Sequence, residues 1–247
     1  MKKLSFNMDL KNNLEVAIVA ARKAGEFLIK NKNQKKKVLV EQGRDIKIEL
    51  DRECENLIRD ELKSTDIEIL GEELGGKISK DTSSWIVDPI DGTANYFRNI
   101  DQCCVSIALM EEGKSKIGVI YNFNSNEIFY ASSGDGAYLN DEKIKVSDIS
   151  DISKASLFTG FPASESIESQ SQFLKNLKVW KKIRMFGSAA LSCAYVASGR
   201  GDYYAEKGVY IWDFAAGICL VEEAGGKAEF SLIDDERYSV KFSNGKL

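Results

Sequence analysis

The stretch Trp85-Ile86-Val87-Asp88-Pro89-Ile90-Asp91-Gly92-Thr93 constrains this chain more than any other. Apolar residues with strand preference run straight into two carboxylates three positions apart. Pro89 has no amide hydrogen to give to a sheet ladder and Gly92 permits a tight turn, so the strand is expected to stop here with both acids gathered at its end. Clustered carboxylates suit a hard divalent cation, and the intervening Ile90 carbonyl is placed to be another oxygen ligand. Thr93 can cap the segment that follows, whose first amide groups make a ready seat for a phosphate. Taken alone, the pattern also reads as an ordinary strand-end turn.

The surrounding chain places this turn between two regimes. Leu10, Leu14, Ile18, Ala21, Gly25 and Leu28 recur at helical spacing, predicting a helix from Asp9 to about Lys30. The lysine-rich segment Asn31 to Arg44 then reads as a solvated or functional loop, whose charge would attract phosphate esters. A second helix is expected from about Lys47 to Lys63, which puts Asp51 on it. The period then changes to two, with strands expected at Ile67 and Ile69, at Trp85 to Val87, from Cys103 to Met110, from Lys116 to Phe123 and from Glu127 to Ala131. The polar run Ser147 to Lys154 is the boundary between an N-terminal half, residues 1–148, and a C-terminal half, residues 149–247. Beyond it strands and helices alternate, with strands at 157–159, 183–186, 203–205 and 227–232 and helices through Phe173 and Leu177, from Ser188 to about Ala197 and from Asp213 to Ala224.

Two further acidic sites share the pattern of carboxylates at the ends of elements. Gly71-Glu72-Glu73 closes a strand, and Asp213 in Trp212-Asp213-Phe214-Ala215-Ala216-Gly217 stands at the expected N-cap of an apolar helix. Histidine is absent, which removes Ser-His-Asp and Cys-His catalysis and imidazole metal ligands alike. Catalysis here must run on carboxylates, hydroxyls, thiols or metals. The five cysteines form no Cys-x-x-Cys pair and lie in apolar stretches, as reduced buried thiols do. A formal charge of -4 carries no electrostatic footprint for nucleic acid. With neither a leader-like apolar segment nor a run long enough to span a bilayer, the expectation is a cytoplasmic protein without membrane or nucleic-acid partners.

In order and spacing, Gly-Glu-Glu at 71–73, Asp-Pro-Ile-Asp-Gly-Thr at 88–93, Gly-Ser-Ala-Ala at 187–190 and Trp-Asp-Phe-Ala-Ala-Gly at 212–217 resemble the inositol monophosphatase family. These are metal-dependent, lithium-sensitive phosphomonoesterases, and the resemblance covers nearly the whole chain. It implies an α+β fold, a layered αβαβα sandwich of the inositol monophosphatase and fructose-1,6-bisphosphatase type, assembled as a homodimer with the site between the two halves. It further implies two to three Mg2+ ions: the first on Glu72, Asp88 and the carbonyl of Ile90, the second on Asp88, Asp91 and Asp213, and a weaker third on Glu72 and water. Gly92 and Thr93 would bind phosphate, and Thr93 supported by Asp51 would orient and deprotonate the attacking water. For Asp51 the family's flanking threonines are replaced by Ile48 and Leu50. Gly187, Ser188, Ala189 and Glu206, together with Asp91, would face the hydroxyls of a small polyol or sugar phosphate. Fructose-1,6-bisphosphatase, histidinol-phosphatase and 3'-phosphoadenosine 5'-phosphate nucleotidase activities share this scaffold, as does a non-catalytic role with RNA-processing or transcription factors. Ala94-Asn95-Tyr96-Phe97 departs from the lysine and glutamate common in the nucleotidase branch, which favours sugar or inositol phosphates.

Overall fold

The structure is a computed structural model that describes residues 2–34, 36–42, 45–77, 82–162 and 166–247. Helix α1 (Lys2–Asn31) is followed by a hairpin, β1 (Val38–Gln42) and β2 (Asp45–Ile48), and by α2 (Glu49–Leu62). Next come β3 (Glu68–Gly71), β4 (Ser84–Asp91), the short α3 (Thr93–Phe97), β5 (Cys104–Glu111), β6 (Lys114–Asn122), β7 (Glu127–Ser132), β8 (Gly136–Leu139) and β9 (Glu142–Ile144). The C-terminal part comprises β10 (Ser156–Thr159), α4 (Ile167–Leu177), β11 (Lys182–Arg184), α5 (Ala189–Ala197), β12 (Tyr203–Val209), α6 (Ile211–Glu223), β13 (Lys227–Leu232) and β14 (Tyr238–Ser243).

Strands β3 to β9 form a seven-stranded sheet in chain order, antiparallel except for the β3–β4 pair. The second sheet has the order β11-β10-β12-β14-β13. Helices α1 and α2 pack on one face of the larger sheet, and α5 and α6 lie between the two sheets. The result is a layered α+β fold of mixed sheets flanked by helices. Because both faces of the larger sheet are covered, its central strands are apolar on both sides. Trp85, Val87, Val105 and Ile107 face α1 and α2, while Ile86, Cys104 and Ala108 face α5 and α6. Burying one such aliphatic side chain contributes about 1.5–3 kcal/mol. Small residues set the spacing of the middle layer: a methyl group on Gly118 of β6 would stand 2.2 Å from the carbonyl oxygen of Ala216.

Several expectations are corrected. Strand β4 does not stop at Pro89: pairing with β5 runs Asp88↔Ser106 and resumes at Asp91↔Cys104, so one extra residue is accommodated between the two acids. This is a β-bulge, the position where a strand tolerates a residue without an amide hydrogen. The expected lysine-rich loop at 31–44 contains strand β1, while Lys35, Gly43 and Arg44 lie outside the described residues. Helix α2 begins at Glu49 rather than Lys47, because Asp45–Ile48 pairs with β1. Strand β12 extends to Val209, which places Glu206 within it rather than after it. Strand β14 lies between β12 and β13, and its alternation of Tyr238, Val240 and Phe242 is the signal of a strand with one buried face.

Candidate metal centre

The bulge in β4 turns two consecutive acids of the motif toward one cleft. The Asp88 carboxylate accepts the Ile90 amide hydrogen at 2.9 Å through Oδ1, closing an Asx-type turn around Pro89. Gly92 follows with φ +89°, a left-handed conformation that costs a side-chain-bearing residue energy, and leads into α3. Thr93 is the first residue of α3 rather than its cap, and its hydroxyl donates to the Ile90 carbonyl at 2.9 Å.

Asp91 is held against the start of α5. Its Oδ2 accepts hydrogen bonds from the Ser188 hydroxyl, from the Ala190 amide at 2.8 Å and from the Cys104 thiol at 3.7 Å, and its Oδ1 accepts the Ala189 amide at 3.3 Å. Ser188 is at the same time the N-cap of α5, accepting the Leu191 amide at 3.3 Å. An acid at a helix N-terminus is favoured by the helix dipole. Asp213 enters from the other side. It is not the N-cap of α6 as expected: Tyr210 holds that position, and Asp213, three residues on, accepts the Tyr210 amide at 2.7 Å.

One oxygen each of Asp88, Asp91 and Asp213 lies within 4.8 Å of the others. Burial, then repulsion from Glu72, Asp91 and Asp213, pushes the Asp88 carboxyl well above the ordinary carboxylate range. Burial likewise raises Asp91, against the hydrogen bonds from Ser188, Ala190, Ala189 and Cys104. Burial and then Asp91 push Asp213 well up, opposed by the Tyr210 amide. Three mutually repelling carboxylates, two buried and the third half-buried, offer hard oxygen donors that fit a divalent cation, which would neutralise them.

The cluster opens onto a cleft of about 700 Å³ whose walls include Glu72, Ile90, Gly92, Thr93, Gly187, Ser188, Ala189 and Glu206. Glu206 accepts the Tyr204 hydroxyl at 3.0 Å and lies against Gly160, where a methyl group would stand 1.9 Å from its Oε1. Asp51 is placed differently. It is buried near the start of α2, where its Oδ2 accepts the Ile48 amide at 2.7 Å, and it is not on the cleft wall.

Three residues that support the site have a structural part that the motifs do not announce. Buried Glu55 accepts the Glu73 amide at 2.7 Å, the Leu74 amide at 3.3 Å and Arg59 Nε at 2.7 Å, tying α2 to the turn that carries Glu72. Gly71 is required there, since a methyl group would stand 2.0 Å from Glu55 Oε1. The Asn95 amide donates to the carbonyls of Gln102 at 2.7 Å and Phe186 at 2.6 Å, fixing α3 against the loop before α5. Cys104 is the third, through its bond to Asp91. The Glu55–Arg59 spacing is visible in sequence but looks like an exposed i,i+4 pair, and only the fold shows it buried.

Comparison with known proteins gives a consistent picture. Residues 9–234 match the model of the inositol monophosphatase family. The chain is 42% identical over 220 residues to the "Nus factor SuhB" of Xylella fastidiosa, covering 86% of this chain and 80% of that protein. It is 35% identical over 243 residues to the "Fructose-1,6-bisphosphatase/inositol-1-monophosphatase" of Thermotoga maritima, covering 96% and 93%. The solved inositol monophosphatase from Anabaena superposes with a TM-score of 0.83 at 33% identity, covering 96% of this chain and 92% of that one.

Proposed function

The chain belongs to the inositol monophosphatase family, and from that premise we propose that it is a Mg2+-dependent phosphomonoesterase acting on inositol monophosphate or a similar small polyol or sugar phosphate. The observation that carries this reading is the convergence of Asp213, distant in sequence, with the Asp88–Asp91 pair of the β4 turn on one cleft.

Glu72, Asp88, the Ile90 carbonyl, Asp91 and Asp213 would hold two to three Mg2+ ions. Bound there, such ions supply Lewis-acid polarisation of the phosphate, a lowered pKa for water and neutralisation of the leaving oxygen. The protein's own groups do the positioning. The hydrogen bonds from Ser188, Ala190 and Cys104 fix one edge of the Asp91 carboxylate, so its orientation does not depend on the ligand. The amides of Gly92 and Thr93 are the candidates for phosphate contact at the start of α3. With its hydrogen committed to the Ile90 carbonyl, the Thr93 hydroxyl has lone pairs left to accept a hydrogen bond from water and hold it in line with the ester. A role for Asp51 as proton acceptor behind Thr93 requires that hydroxyl to turn away from Ile90. Glu72, which also lines the cleft, is the candidate to take the proton of that water. In the reaction the bond from phosphorus to the ester oxygen breaks, water supplies the new oxygen on phosphorus, and a proton ends on the leaving oxygen. The substrate hydroxyls would meet Asp91, Gly187, Ser188, Ala189 and Glu206, placing the residue 1–148 and 149–247 halves on opposite sides of the ester.

The test is phosphate release from inositol 1-phosphate, fructose 1,6-bisphosphate, histidinol phosphate and 3'-phosphoadenosine 5'-phosphate, with and without Mg2+ and then with Li+. Mg2+-dependent, Li+-inhibited release from the first is expected. Similarity to the Xylella fastidiosa Nus factor favours a second reading, a transcription-associated role alongside or instead of catalysis. That reading gains if no ester is turned over while Mg2+ still binds. No helix among the described residues is long and apolar enough to cross a membrane.

A further inference from the structure

Beside the metal cleft lies a second cavity of about 390 Å³, and the two share the wall formed by Thr159, Gly160, Phe161 and Glu206. Its origin is the packing of α4. This helix carries Phe173 and Leu177 on the side toward the five-stranded sheet, yet no residue of it is fully buried, so it roofs the sheet without closing on it. The space left beneath is lined by two aromatic pairs. Phe161 and Phe173 meet edge to face at 6.0 Å on the cleft side, and Trp180 and Tyr203 meet at 5.2 Å farther in. The size falls in the range of small-molecule sites, about 300–1,000 Å³, and rings at such angles present both edges and faces to an inserted flat group.

A ligand bound here would reach the acidic cluster across the shared wall, past Gly160 and Glu206. Gly160 leaves room in that wall for the Glu206 carboxylate, which occupies the space a side chain there would need and so lines both cavities. The cavity sets four aromatic rings among polar residues such as Gln172, Asn176 and Lys241, where the metal cleft is acidic, so the two suit opposite ends of one amphipathic molecule. We propose that the cavity beneath α4 is a subsite for the organic part of the ester, taking a flat apolar group such as an aryl ring while the phosphate reaches Asp88, Asp91 and Asp213. This rests on the phosphatase reading and narrows its substrate class. Among small polyol and sugar phosphates, those that also carry an aryl or similarly flat substituent are favoured over those without one.

Binding separates this from chemistry, because an aryl alcohol is also a better leaving group. Calorimetric titration of the full chain with Mg2+ compares 2-naphthylmethylphosphonate with methylphosphonate, neither of which can be hydrolysed at a P–O ester bond. The naphthyl compound is expected to bind at least about tenfold more tightly. Phe173→Ala, which removes a wall, and Gln172→Trp, which fills the cavity from α4, are each expected to cut that ratio by about tenfold. Equal affinities in the natural protein, no measurable binding of either phosphonate, or a ratio unmoved in both variants overturns the subsite. Inositol 1-phosphate turnover is scored separately. Turnover with an unmoved ratio retains the phosphatase and removes the subsite. The expected ratio without turnover of any ester retains the cavity as a binding site and removes the phosphatase.

Discussion

The two sheets share α5 and α6 but are finished very differently on their outer faces. On the seven-stranded sheet, α1 and α2 seal the surface with Leu14, Leu28, Cys54, Ile58 and Leu62, and every residue of β4 is buried. On the five-stranded sheet, no residue of α4 is fully buried, Ile167 is 80% exposed, and β13 is open to solvent along most of its length. The acids Asp88 and Asp91 stand on the sealed sheet, whereas Glu206 and the cavity beneath α4 belong to the open one. A divalent cation tolerates little error in ligand position, and a rigid core supplies that precision. Contacts to the organic part of a substrate can vary, and a loosely packed layer gives them room to do so.

The largest test of this division is Asp88→Asn. It should lower phosphate release by about a thousandfold or more, since the group is asked to hold the cation on which the reaction depends. Removing one of the repelling charges should also leave the metal-free protein with an unchanged or higher Tm, while abolishing the rise in Tm expected of the natural chain on adding Mg2+. Retained activity at saturating Mg2+ would remove Asp88 from the centre. Next in size, Ile107→Ala in β5 should cost about 2–5 kcal/mol in urea unfolding, and Leu174→Ala in α4 less than about 0.5 kcal/mol. Similar costs for both would mean that the two faces are equally packed after all.

Glu55→Gln probes the connection between core and site. An amide cannot accept from both the Glu73–Leu74 amides and Arg59, so one interaction is lost and the turn bearing Glu72 loosens. Mg2+ affinity should fall about 10–100-fold, as it does when an outer support of a ligand is removed. Unchanged affinity with a lowered Tm would assign Glu55 to stability alone. The smallest effect expected is at the ion pair joining β7 to the end of α5. The hydrogen bond from Arg200 holds the Glu127 carboxyl below its usual range. A depressed carboxylate contributes stability above its unfolded pKa of about 4.3, and that stability disappears as pH falls through the lower folded value. The stability penalty of Arg200→Gln in urea unfolding should therefore shrink between pH 7 and pH 3, by less than about 1 kcal/mol for so exposed a pair.

Much of the candidate site was legible in sequence because its geometry is local. The spacing of Asp88, Pro89, Asp91 and Gly92 encodes a turn, and Ser188 encodes a helix start, whatever lies around them. The family motif added Glu72 and Asp213 at the ends of their own elements, and absent histidine narrowed the chemistry before any folding was considered. What the sequence left undetermined depends on partners distant in the chain. Pro89 reads as a strand terminator, but the pairing of Asp91 with Cys104 carries β4 past it as a bulge. Asp213 reads as a cap, but Tyr210 takes that place and turns the carboxylate toward Asp91. Glu55 reads as a surface charge until the β3 turn closes over it, and the cavity beneath α4 exists only as the space two layers fail to fill. Local spacing fixes backbone turns because neighbouring residues are always present. Burial, mutual repulsion and empty volume are properties of contacts between segments, and those come into being only when the chain has folded.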